Sequence, residues 1–238
     1  MYNFRITKGT EGENHREQLV RDMIYVCLLP NLSEKNRREF INVSVAWSYT
    51  DRYITDINRS AKYKGCPFWS EKALERLEND GSWKKDGEKD KGLRHEHVVP
   101  RKIFVEAMLY HFNEVRKEIK DDGSNLEEIA NREFIKINGI MNELLIGCVV
   151  TDDEAKKLDK DDMPNIAYKN GKPENDWLKF SEINYVWARY KKAKDTKDIS
   201  PIFRLAWKFE GNRWKTDLSN KVEVDLKKYW SANNVSHN

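Results

Sequence analysis

The sequence predicts an α+β protein, mainly helical, with a small strand–strand–helix unit embedded in the helical scaffold. Three observations predict it. Apolar residues recur at helical spacing through much of the first half. Two short runs, one ending at Pro100 and one from Leu144 to Val150, read as strands, and the second leads into a helix-start signal. Beyond Asp159 the chain turns rich in turn residues, then alternates basic and aromatic side chains.

Taken in order, His15 to Leu29 carries Leu19, Val20, Met23, Ile24, Val26 and Cys27 on a helical stripe closed by Pro30. Ser33 is an expected N-cap for a second helix. Val43 to Ile57 is ambiguous, because its β-branched and aromatic residues alternate irregularly. Ala61 to Phe68, with Gly65 and Pro67, predicts a loop. Ser70 predicts a cap for a helix through Leu77, stopped at Asp80-Gly81. Ser82 to Gly92 is nearly all charge, which fits a solvated loop or a flexible arm beside the strand that follows. Arg101 to Lys120 predicts a long helix with Ile103, Phe104, Ala107, Met108, Phe112 and Val115 on one face. Thr151 and Glu154 have capping-box spacing, so a helix is expected through Lys156, Lys157 and Leu158. Val222 to Trp230 fits a strand or a closing helix. The chain divides into a helical region (1–92), a central unit with a helical insertion (93–160) and a basic, aromatic region (161–238).

Composition bounds the function. In 238 residues, 35% are charged and the net charge is only +3, so charge alone does not argue for nucleic-acid binding. Eight Trp, ten Tyr and nine Phe supply ample core material, which argues against disorder. No apolar run approaches the ~20 residues of a membrane span. Met1 to Arg5 lacks an apolar segment, so no signal peptide is expected. Cys27, Cys66 and Cys148 have no metal spacing and suit a reducing cytoplasm.

The most informative stretch is Leu93-Arg94-His95-Glu96-His97-Val98-Val99-Pro100. Phosphodiester hydrolysis needs a cation to polarise the phosphate and a base to activate water. An acid beside a histidine can supply both, but strand neighbours point to opposite faces, so a bend or bulge is needed to converge them. Pro100 would end the strand. The competing reading is a structural pair of histidines, His95 and His97, packed within one strand.

This octapeptide resembles the first motif of the HNH, or ββα-metal, nuclease family. The resemblance covers two short segments, the second being Met141 to Glu154. It implies a metal-dependent endonuclease cleaving DNA, with an embedded ββα-metal hairpin. His97 would be the general base, and Glu96 a ligand for Mg²⁺ or Mn²⁺, standing where the family usually has Asp. His95 would be an extra phosphate or metal contact. Asn142 would orient His97, with Asn138 as alternative. Asp152 would be the last ligand, with Asp153 and Glu154 as rivals. The Cys-x-x-Cys knuckles often found in the family are missing, and the stretch between the two motif halves is unusually long.

Candidate DNA contacts are Arg101 and Lys102, whose charges at a helix start oppose the helix dipole, and Arg189, Lys191 and Lys192 in the basic, aromatic tail. Lys and Arg interleaved with aromatics suit phosphate neutralisation and base stacking. A core with solvated alternate faces fits the same pattern. Homodimerisation is left open. Two other classes stand beside the enzyme: a nucleic-acid-binding or regulatory protein whose hairpin is structural, and a helical partner-binding module.

Overall fold

The computed structural model describes residues 11–51, 63, 65–79, 92–158, 168–169, 172–173, 186–210 and 213–226. The charged stretch before Gly92, Tyr185 and the chain beyond Leu226 lie outside the described residues.

The N-terminal stripe forms helix α1 (Glu11–Leu28), and Ser33 caps α2 (Glu34–Glu39) by accepting the Asn36 N–H at 3.2 Å. The ambiguous segment is helical. It runs as a π-helix (Phe40–Trp47) into a short α3 (Ser48–Asp51). Strand β1 (Phe68–Ser70) leads into α4 (Glu71–Asn79), whose Ala73 N–H is taken by Ser70 Oγ at 3.2 Å, the expected cap. Strand β2 (Leu93–His97) ends before Pro100, and α5 (Arg101–Val115) starts directly after it. The insertion is completed by α6 (Leu126–Leu144). Strand β3 (Gly147–Thr151) begins three residues later than the apolar run suggests, because α6 carries on through Leu144. It runs without a break into α7 (Asp152–Lys157).

The rest of the described chain adds strands and one α-helix. Strands β4 (Tyr168–Lys169) and β5 (Lys172–Pro173) pair with each other, and α8 (Ala188–Asp195) follows. Strand β6 (Ile202–Arg204) joins the main sheet, and β7 (Trp207–Glu210) pairs with β8 (Arg213–Thr216). Strand β9 (Val222–Glu223) closes the main sheet, resolving the start of the last ambiguous segment as a strand.

The main sheet has the order β2-β3-β1-β6-β9. It is mixed: β3 lies parallel to β1 and antiparallel to β2. The protein is therefore α+β, and the five-stranded sheet draws strands from all three sequence regions.

Side-chain alternation gives the sheet two apolar faces. Phe68, Cys148 and Val150 join the larger core with Met23 and Cys27 of α1, Val45 of the π-helix, Phe104 and Phe112 of α5, and Met141 of α6. Trp69, Leu93 and Val149 join a smaller core with Ala73, Leu74 and Trp207. The indole N–H groups of Trp69 and Trp207 both donate to the Cys66 carbonyl, at 2.8 and 2.7 Å. This satisfies their polar atoms inside the core, and truncating Trp69 would cost about 3–5 kcal/mol. Trp187 and Tyr190 are buried as well, so these tail aromatics are core residues. No described helix is long and apolar enough to cross a membrane.

Candidate functional site

Strand β2 is the edge of the main sheet, paired residue for residue with β3 from Leu93↔Thr151 to His97↔Gly147. A continuous one-to-one register leaves no bulge. Leu93, His95 and His97 therefore share one face, and Arg94 and Glu96 share the other. Glu96 and His97, expected to converge, point to opposite sides of the strand.

On the histidine face, the His95 and His97 rings meet edge-on with centroids 5.8 Å apart. Gly147 makes room for this. A Cβ there would collide with the His95 ring, coming within 2.6 Å of Cε1. A glycine inside an apolar strand run, opposite a histidine, was the available sequence signal for a close approach. The His97 ring is half-buried, and its Nε2 lies 2.9 Å from Thr50 Oγ1. Thr50 is fully buried at the end of the helical segment that begins with the π-helix.

On the opposite face, Arg189 of α8 reaches the end of β2. Its Nη2 donates to the His97 carbonyl at 2.8 Å and lies 3.8 Å from Glu96 Oε2. Its side chain is only 2% exposed, against 21% for Glu96. The sequence placed Arg189 among surface phosphate contacts; the structure seats it inside, holding a strand end. Phe68 and Tyr190 pack on Trp187, with centroids 4.9 and 5.3 Å away, and fix α8 against the sheet. Burial pushes the Tyr190 hydroxyl and the nearby Cys148 thiol well above their ordinary values, so both stay neutral here.

Asp152 lies at the other end of the strand pair. It is the first residue of α7, its N–H bonds the Gly92 carbonyl at 2.9 Å, and its carboxylate receives Arg94 Nε at 2.7 Å. Glu96 pairs with Cys148, four residues before Asp152 in β3 and α7. At ~3.3 Å per strand residue the two acids stand on the order of 10 Å apart along the pair. They do not fit as joint ligands of one ion. Among the described residues no three His, Cys, Asp or Glu side chains cluster so as to hold a metal.

The capping box at α7 forms as expected. Glu154 is a poor metal ligand, because both its oxygens are taken. Oε2 accepts from Ser70 Oγ at 2.6 Å and from Thr151 N and Oγ1, both at 3.0 Å. Oε1 accepts from Ser200 Oγ at 2.6 Å and Ser200 N at 2.9 Å. Burial alone would raise this carboxyl. The bonds from Ser200, Ser70 and Thr151 outweigh it and hold Glu154 below its ordinary value. Asp153 is exposed and pairs with Lys156 at 3.3 Å.

Asn142 sits in the last turn of α6 instead of opening a strand, and its side chain lies outside those described. Asn138 lies one turn earlier in the same helix. Arg101 and Lys102 open α5 four and five residues after His97, half-buried and exposed respectively. Lys191 and Lys192 lie on α8, their side chains outside the described set. The residues the sequence missed are Thr50, Arg189 in its holding role, and Gly147. Set beside known protein families, curated proteins and solved structures, the chain matches none of them.

Proposed function

We propose that this protein is an endonuclease of the ββα-metal kind that hydrolyses phosphodiester bonds in DNA, with His97 as its general base. One observation carries the reading: β2 and β3 form an antiparallel pair that runs directly into the capped helix α7, and His97 ends the first strand. Its carbonyl and its ring are both engaged by other elements. A positioned imidazole can take a proton from an attacking water as general base. Arg101 and Lys102, just past the strand end, supply cations for the phosphate backbone, and Lys191 and Lys192 of α8 are further candidates for such contacts. Mg²⁺ or Mn²⁺ is the ion such chemistry uses, and Glu96 and Asp152 do not converge on a single ion.

A second reading has its own support. Arg94 on Asp152 and Arg189 beside Glu96 engage both expected ligands in ion pairs. A nucleic-acid-binding protein with a purely structural strand pair would look the same. Incubating supercoiled plasmid with the protein, with and without Mg²⁺ or Mn²⁺, separates the two. Nicking or linearisation that depends on His97 supports the enzyme. Retardation of intact plasmid with no cleavage under either ion supports the binding protein.

A further inference from the structure

We infer that Thr50 is the positioning residue of His97, and that its hydroxyl accepts the Nε2–H of the neutral ring, leaving the lone pair on Nδ1. The direction of the bond follows from the other neighbours of the hydroxyl. Thr50 Oγ1 lies 3.0 Å from the Ala46 carbonyl oxygen and 3.0 Å from the Trp47 carbonyl oxygen. A threonine hydroxyl has one proton and two lone pairs. Both carbonyl oxygens can only accept, so the proton goes to them, the ordinary back-bonding of a helical threonine. His97 Nε2, at 2.9 Å, then has to be the donor. The reverse assignment would set hydroxyl lone pairs against two carbonyl oxygens with no proton between them.

Thr50 sits in a packed setting. It is fully buried, and its neighbour Tyr49 is clamped by Arg16, which donates to the Tyr49 carbonyl at 2.7 Å and stacks over the ring at 4.4 Å. π-Helical turns, such as the one leading into Thr50, are frequent at functional sites. Arg189 holds the His97 backbone through its carbonyl. Ring and carbonyl are thus fixed by two elements that the chain brings in from residues 47 before and 92 after His97.

The catalytic consequence rests on the reading of His97 as general base: a proton taken from water would arrive at Nδ1 while Nε2–H stays on Thr50. The tautomer itself does not depend on that reading. Nitrogen-15 NMR of the imidazoles, recorded at about pH 8.5 where a normal histidine is neutral, reads it directly. We expect His97 to carry its proton on Nε2, Thr50→Val to move the Nε2 resonance away from its hydrogen-bonded position, and Thr50→Ser to restore the parent pattern. If cleavage is present, Thr50→Val should lower kcat about 10- to 100-fold, the size of one hydrogen bond to a charge-developing group, with KM little changed. A wild-type His97 protonated on Nδ1, or a Thr50→Val spectrum identical to the parent, overturns the inference. The parent measurement needs no variant to fold. The expected tautomer with no plasmid cleavage would sink the nuclease reading alone. Cleavage with the opposite tautomer would sink the role of Thr50 alone.

Discussion

The two ends of the β2–β3 pair are built differently. At the Leu93–Thr151 end the central group is Glu154, a buried carboxylate that accepts five hydrogen bonds from Ser70, Thr151 and Ser200. Its partners come from β1, β3 and the loop before β6, so it joins three parts of the chain. Nothing remains on it for a ligand. At the His97–Gly147 end the central group is a half-buried imidazole whose ring meets a hydroxyl and whose backbone carbonyl accepts from a guanidinium. A saturated carboxylate is a joint. A held but partly exposed imidazole is a side chain kept in position. The contrast assigns stability to the first end and, on the proposed reading, chemistry to the second.

The largest effect on stability is expected at the first end. Glu154→Ala strands the buried hydroxyls of Ser70 and Ser200 and the backbone N–H of Thr151, and each unsatisfied buried group costs about 1–3 kcal/mol. A total loss of about 3 kcal/mol or more, read by urea unfolding, would follow; a loss under ~1 kcal/mol would show that Glu154 is not the joint described.

The same residue fixes a pH dependence. Its folded-state pKa lies below the ordinary 4.5, so the unfolded chain binds the proton more readily. The contribution is fully present above about pH 4.5 and is lost as the pH falls toward the lowered value. Unfolding measured between neutral pH and pH 3 should show a shallower acid limb in Glu154→Gln than in the parent. Parallel limbs would contradict the assignment.

Gly147 sharpens the other half of the comparison. Gly147→Ala drives a methyl into the His95 ring and should cost about 1–3 kcal/mol by overpacking. Most of that cost should vanish in the His95→Ala background, because the clash has one partner. Additive losses in the double-mutant cycle would mean that the glycine serves the backbone instead.

The smallest effect concerns the surface. Replacing Lys102, Lys191 and Lys192 with Ala should weaken DNA binding and flatten its salt dependence by about one counterion per lost phosphate contact. An unchanged slope would return these lysines to a solvated face.

Local signals were legible in the sequence. The caps at Ser33, Ser70 and Thr151, the end of β2 before Pro100 and the start of α5 all depend on residues within a few positions of one another. The α+β class followed from the same signals. The π-helix was not legible, because its β-branched and aromatic residues suit either period until packing chooses one. Asn142 was placed at a strand start because the apolar run hides where α6 ends. The strand register, which sends Glu96 and His97 to opposite faces, was foreseen as a difficulty, and no bulge removes it. Thr50 and Arg189 reach His97 across 47 and 92 residues, and no spacing rule spans such distances. The composition of the tail suggested a surface, and Arg189 went inside because it has a carbonyl and a carboxylate to meet.

On the proposed reading the His97 end does chemistry while the Glu154 end holds the fold. That division is tested most directly by assaying plasmid cleavage with Mg²⁺ or Mn²⁺ for the parent and for His97→Ala, with thermal unfolding of both recorded in parallel. His97→Ala should unfold within a few degrees of the parent and lose cleavage on the order of 10²–10⁴-fold, the usual weight of a general base. A His97→Ala protein that cleaves as fast as the parent would contradict it.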